Sequence, residues 1–140
     1  MIRKKDIRAR MLAFAPLTSY VGDRISPRTA GQKTAYPYVT FFRVDETEAY
    51  GLLGSQGTSK AIYQFDVFSK VDEQADRITE EIVNCFAKDF RRGWLNGTNS
   101  VFVLRCRASG IGDEYGEPIA AAGTGEYQSV IQIRFDYNTP

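Results

Sequence analysis

The stretch "TSKAIYQFDVFSKVDEQADRITEEIVNCFAKDFR", residues 58–91, holds two hydrophobic periods in succession. In its first part Tyr63, Phe65 and Val67 alternate with Gln64, Asp66 and Phe68. Successive side chains of an extended chain point to opposite faces, so this is the pattern of a half-buried strand, with Phe68 the exception on its polar side. From residue 71 the period changes. Ala75, Ile78, Ile82, Cys85, Phe86 and Phe90 recur every three or four residues and make one apolar stripe on a helix over 71–91. Ser69, with Asp72 three residues on, fits an N-cap and its box, and Asp72, Glu73 and Asp76 complement the positive end of the helix dipole. Lys88, Arg91 and Arg92 stand at the other end, before Gly93. A helix with one apolar face must lie on a sheet, so the stretch predicts a layered α and β architecture.

Working outward, residues 3–15 read as a short helix with Ile7, Met11 and Phe14 on one face, stopped by Pro16. "YVTFFRVD", residues 38–45, is rich in strand formers without clean alternation, which predicts a strand covered on both sides, with Tyr38, Phe41 and Phe42 in the core. In residues 100–108, Val101, Val103, Arg105 and Arg107 alternate with Phe102, Leu104, Cys106 and Ala108. In 127–138, Tyr127, Ser129, Ile131, Ile133, Phe135 and Tyr137 alternate with Gln128, Val130, Gln132, Arg134 and Asp136. The order α-β-β-α-β-β predicts an α+β fold: a four-stranded, mainly antiparallel sheet with two helices packed on one face, as a single domain over 1–140.

Composition narrows the chemistry. The chain has 140 residues, 43% hydrophobic and 25% charged, with a net charge of +1, so any attraction for nucleic acid would have to come from a local patch. It contains no histidine, which removes Ser-His and Cys-His nucleophile pairs, histidine metal sites and the commonest general base. Residues 53–57, "LGSQG", carry leucine where a GxSxG nucleophile elbow requires glycine. "GIGDEYG" follows a strand but opens no amphipathic helix, so it makes no phosphate cradle. Two carboxylate groups, Asp45/Glu46/Glu48 and Asp113/Glu114/Glu117, lie in glycine-flanked loops and read as solvated charge. Cys85 and Cys106 sit in apolar segments as reduced, buried thiols. The opening "MIRKKDIRARMLAF" has no apolar run of signal-peptide length, and no span is long enough to cross a bilayer, so a soluble protein made in a cytosol is expected. No catalytic, cofactor-binding or metal-binding residue is assigned, and no enzyme, membrane or sequence-specific nucleic-acid function is expected. Basic residues gather on the first helix (Arg3, Lys4, Lys5, Arg8, Arg10), in the following loop (Arg24, Arg28, Lys33), and on a strand face carrying Arg105 and Arg107, with Arg134 beside it.

The run "FAPLTSYVGDRISPRTAGQKTAYPYVTFFRVD" followed by "GLLGSQGTSKAIYQFDVFSKVDEQADRITEEIVNCF" resembles the tail-completion, or tail-terminator, proteins of long-tailed bacteriophages. The features come in order over residues 14–86: a short helix ending near "VGDRI", a proline-containing loop, "YPYVTF" opening a strand, a glycine-rich turn, a "YQFDVFS" strand and an acidic-started helix. The resemblance implies a structural protein that forms a homo-oligomeric ring, a hexamer, on the finished tail tube. Such a ring ends tail growth and joins the tail to the head connector. Its partners are then further copies of itself, the tail tube protein and the connector protein. It is assembled in the bacterial cytoplasm and resides in the virion at the tail end. A ring needs heterologous contacts, and the loops at 20–37, 46–59 and 109–126 are long enough to supply them. On this reading Arg24, Arg28, Lys33 and Tyr36 contact a neighbour or the tube, and Tyr50, Leu52 and Leu53 form an apolar loop contact. The segment 109–126 matches no feature of the family. The alternative is a small host-encoded module that binds a ligand or peptide across its sheet without catalysis.

Overall fold

The structure, a computed structural model, describes residues 1–28, 34–47, 50–51, 54–55, 58–90, 92–95, 101–113 and 127–138, with side chains left out at 50–51, 54–55 and 109–113. In chain order the elements are α1 (Lys4–Leu12), α2 (Ala15–Val21), β1 (Ile25–Pro27), β2 (Tyr38–Thr47), β3 (Tyr50–Gly51), β4 (Gly54–Ser55), β5 (Ser59–Ser69), α3 (Asp72–Val83), a π-helical continuation (Asn84–Phe90), β6 (Gly93–Trp94), β7 (Phe102–Asp113) and β8 (Tyr127–Asn138). The main sheet has six strands in the order β1-β2-β5-β8-β7-β6, and β3 and β4 pair separately. β1 runs parallel to β2, while the other pairings are antiparallel.

The expectation of a four-stranded sheet with two helices is therefore corrected to a six-stranded mixed sheet with three helices. The missing strands are the edges. β1 has three residues and ends in Pro27, which an edge strand tolerates because it needs no ladder donor there; β6 has two. Neither is long enough to show a period. The first helix also differs: it ends at Leu12, and α2 starts after an extended Phe14 (φ −97, ψ 98). Pro16 lies in the first turn of α2, where an N–H has no helical partner to lose, so it helps to start a helix instead of stopping one. Gly22 closes α2 at φ +58, and its N–H donates to Thr18 O at 2.8 Å; that backbone conformation favours glycine. Ser69 acts at the start of α3, but not through the expected box. Its Oγ accepts from Val71 N (3.1 Å) and donates to Gln74 Oε1 (2.7 Å).

Tyr63, Phe65, Val67, Ile131, Ile133, Phe135 and Tyr137 are buried on the sheet face that carries the helices. α3 sends Ala75, Ile78 and Ile82 into the same core. Phe86, from the π segment, packs against Phe65 (5.5 Å) and edge-on to Phe135 (5.4 Å). α1 adds Ile7 and Met11, and α2 adds Leu17 and Val21. Of the three aromatics expected in the core from β2, Phe41 is buried, while Tyr38 and Phe42 face the other side and are half-buried.

Two bulges set which residues face out. One between Arg43 and Asp45 leaves Arg43 paired with the inward Tyr63 and Asp45 with Ile62. Another between Val103 and Arg105 turns Val103 toward the core opposite Tyr137, yet places Arg105 opposite Asp136 and Arg107 opposite Arg134 on the open face. Strict alternation would have put Val103 and both arginines on one side.

Candidate functional site

The loop after α2 and the strand that follows it bring together most of the described candidate residues. Arg24 is engaged inside the chain: its Nε donates to Pro37 O at 2.9 Å and its Nη2 to Tyr20 O at 3.3 Å. It thereby fastens the end of α2 to the turn that opens β2. Arg8, from α1, similarly donates to Ile25 O (2.7 Å) and Asp23 O (3.2 Å), fixing the start of the edge strand β1. These bonds hold the loop in place without using its outward surface.

Arg28 is exposed and holds φ +70, a left-handed conformation unusual for a side chain of its size; its N–H donates to Phe41 O at 2.7 Å. With Lys4, Phe42 and Arg43 it lines an open depression. Three cations thus share one hollow, and desolvation, followed by the fields of Arg28 and Arg43, pulls the Lys4 ammonium below the usual lysine range. Arg43 is held from behind: its Nε donates to Tyr63 Oη (3.3 Å) and its Nη2 to Ile2 O (3.1 Å), with Glu46 at 3.9 Å. Burial works against its charge, but the Tyr63 hydroxyl and Glu46 outweigh it and hold Arg43 above the usual arginine range. Tyr63 Oη donates in turn to Ile2 O at 2.8 Å, and burial raises its phenol above the ordinary tyrosine range despite Arg43.

Tyr36 begins a row of aromatic rings. It lies 5.3 Å from Tyr38, which stacks on Phe68 at 4.9 Å across the β2–β5 pair, and Lys70 Nζ sits 5.3 Å from the Tyr36 ring centroid. Aromatic rings with a cation at a half-exposed strand end have the chemistry of an interface anchor. The sequence pointed to Tyr36 but assigned Tyr38 to the core, and it did not pick out Phe68 or Lys70. The one available signal was Phe68 itself, the aromatic on the polar side of an otherwise alternating strand.

Tyr50 belongs to the β3–β4 pair, and its side chain lies outside the described residues, as do Lys33, Leu52, Leu53 and most of the 109–126 segment. Among the described residues no cluster of three or more metal-ligating side chains occurs. Cys85 and Cys106 are free and buried; burial pushes the Cys85 thiol up to about 12 and Cys106 further still, so both remain protonated at neutral pH. No helix among the described residues is long and apolar enough to cross a membrane.

The fold is shared with phage-type particles. A chain from the virion of a native gene transfer agent particle superposes with a TM-score of 0.60 at 14% identity, covering 95% of this chain and 92% of that one. The gp17 protein of bacteriophage SPP1 gives a TM-score of 0.52 at 18% identity, covering 97% and 88%. No curated protein sequence matches significantly. The family model described as tail completion protein gp17 matches residues 5–90, the part that holds all of α1 but its first residue, α2 and α3, Arg28 and Arg43 of the hollow, and the aromatic row. The chain belongs to the tail completion protein gp17 family and is a structural protein of the bacteriophage tail.

Proposed function

We propose that the protein caps the finished tail tube as a homo-oligomeric ring, a hexamer, which ends tail growth and joins the tail to the head connector. The observation that carries this reading is the family match over 5–90, because that segment includes the outward Arg28 and Tyr36 together with the elements that position them. In this role Arg28 and the Tyr36–Tyr38–Phe68 row contact a neighbouring copy or the tube protein. Arg24 holds their loop in position from within the fold. Lys33, Tyr50, Leu52 and Leu53 belong to the same proposed contact surfaces. The partners are other copies of this chain, the tail tube protein and the connector protein, and the ring is assembled in the host cytoplasm and retained at the tail end of the virion. No catalytic step is required of it.

Electron microscopy of lysates from the phage or prophage that carries the gene, with the gene deleted, tests this directly. Headless tails of uneven length beside filled, tailless heads are expected, with normal virions returning when the gene is supplied in trans. Normal virions without the gene would end the tail-capping reading.

A further inference from the structure

The sheet face opposite the helices carries an arginine cluster that shares no residue with the three-cation hollow. Across the adjacent strands β7, β8 and β5, Arg105 pairs with Asp136 and Asp136 with Lys60; one row away, Arg107 pairs with Arg134. Asp136 is buried and serves as the anchor, accepting from Arg105 Nε and from Arg134 Nε, each at 3.1 Å. The side chain of Arg105 remains 62% exposed and that of Arg134 31%. Arg107 is exposed, Lys60 half-exposed, and neither side chain has a hydrogen bond or ion pair among the described residues. Lys60, Arg105, Arg134 and Asp136 line a depression on the open face with Thr47 and Thr58, and Arg107 stands beside it, opposite Arg134. Like charges directly opposite in an antiparallel pair destabilise a sheet, so placing Arg107 against Arg134 has a cost, offset by the ion pair that Arg134 makes with Asp136.

The complementary surface lies on the same molecule, on the other side. α3 carries Asp72, Glu73, Asp76, Glu80 and Glu81 against a single arginine, Arg77, and its apolar stripe is turned to the core. Asp72, Glu73, Asp76 and Glu80 are exposed. The outward side of α3 is therefore acidic, although α1 in the same layer is basic, and the facing strands β5, β7 and β8 carry the basic cluster on the opposite side. Two different faces of matching charge on one chain are the requirement for a head-to-tail contact that propagates from copy to copy.

We propose that the acidic face of α3 in one copy docks on the Lys60–Arg105–Arg107–Arg134 face of the next, and that this contact sets the subunit order in the ring. The inference rests on the ring reading and names the surfaces that would build it. Guanidinium groups fixed by a buried carboxylate are suited to receive carboxylates, since their planar fork is already oriented.

A charge-swap experiment tests it by complementation of the gene deletion, scoring plaque titre and tail length. The paired change Lys60→Glu with Arg107→Glu avoids the buried Asp136 anchor, and the new glutamate at 107 faces Arg134 as an attractive cross-strand partner, so the fold keeps or gains thermal stability. Complementation is nevertheless expected to fall by on the order of 100-fold, because two of the four cations that receive α3 become carboxylates that repel it. Asp72→Lys with Glu80→Lys should fail in the same way. All four changes in one chain should restore titre and tail length, since every contact then carries both reversed faces. Full complementation by the Lys60/Arg107 pair, while the deletion itself is defective, would overturn the proposal and leave the capping role standing. Tails of normal length with heads attached but DNA lost would also overturn it, assigning the face to nucleic acid. Failure of the four-change chain, when it melts like the parent, would do so too.

Discussion

The two faces of the sheet are built from the same strands, residue by alternate residue, and they differ in what they leave unfinished. On β5 and β8 the inward set is Tyr63, Phe65, Val67, Ile131, Ile133, Phe135 and Tyr137, all buried. The outward set includes Lys60, Gln64, Asp66, Phe68, Gln132, Arg134 and Asp136, in which Gln132 Nε2 donates to Gln64 Oε1 (3.1 Å) and Gln64 Nε2 to Asp66 Oδ1 (3.0 Å). The inner face is complete in itself: the helices supply its remaining contacts. The outer face satisfies some of its polar groups locally and keeps cations and rings exposed at its surface. Stability is concentrated on one side and the capacity for association on the other.

The strongest way to break this comparison is to empty the inner face. Phe86 joins the π segment to Phe65 and Phe135, so Phe86→Ala is expected to cost about 3–5 kcal/mol in a urea titration, enough to unfold a marginal domain. Phe42→Ala, on the outer face, should cost far less. Equal losses would mean that the outer face is also core. A second contrast lies within one loop. Arg24→Ala removes two charge-assisted bonds to backbone carbonyls and is expected to lose roughly 1.5–3 kcal/mol, measurable as a lowered midpoint in the same titration. An Arg24 variant that folds normally but fails to complement would instead put its guanidinium at the contact. Smaller again is Gln132→Ala, which cuts the outer-face relay where water can replace the lost partner, for about 0.5–1.5 kcal/mol.

Much of this architecture is legible in the sequence because its long elements each show a period. Alternation over residues 59–69 and 127–138 and the three-to-four spacing along α3 are local properties. What is not legible depends on pairing. β1 and β6 are too short to carry a pattern, and they are strands only because a neighbour supplies the hydrogen bonds. The bulge after Val103 is set by the register with β8, and it decides that Arg105 and Arg107 face out while Val103 faces in. The candidate surface divides in the same way. Arg28 and Tyr36 stand out as a cation and a ring in a turn-rich loop. Lys4 and Arg43 reach the same hollow from α1 and β2, and Phe68 reaches Tyr38 from β5, through contacts that sequence spacing does not encode.

The finest test of the division between folding and assembly is Arg28→Gly. Arg28 holds φ +70, where a side chain with a Cβ is disfavoured by roughly 1–2 kcal/mol and glycine is not. Glycine loses more chain entropy on folding, about 0.5–1 kcal/mol, so the two terms nearly cancel and the variant should be unchanged or slightly more stable. A thermal melt is therefore expected to stay level or rise by a few degrees. The side chain is exposed, and among the described residues the hydrogen bond of Arg28 is the one its backbone N–H donates to Phe41 O, which glycine keeps. If the three-cation hollow serves assembly, complementation should nevertheless drop, because the guanidinium has gone while the fold has not. A loss of thermal stability would instead show that Arg28 works inside the fold as Arg24 does. A stable variant that complements fully would move the loop contact to the Tyr36–Tyr38–Phe68 row alone.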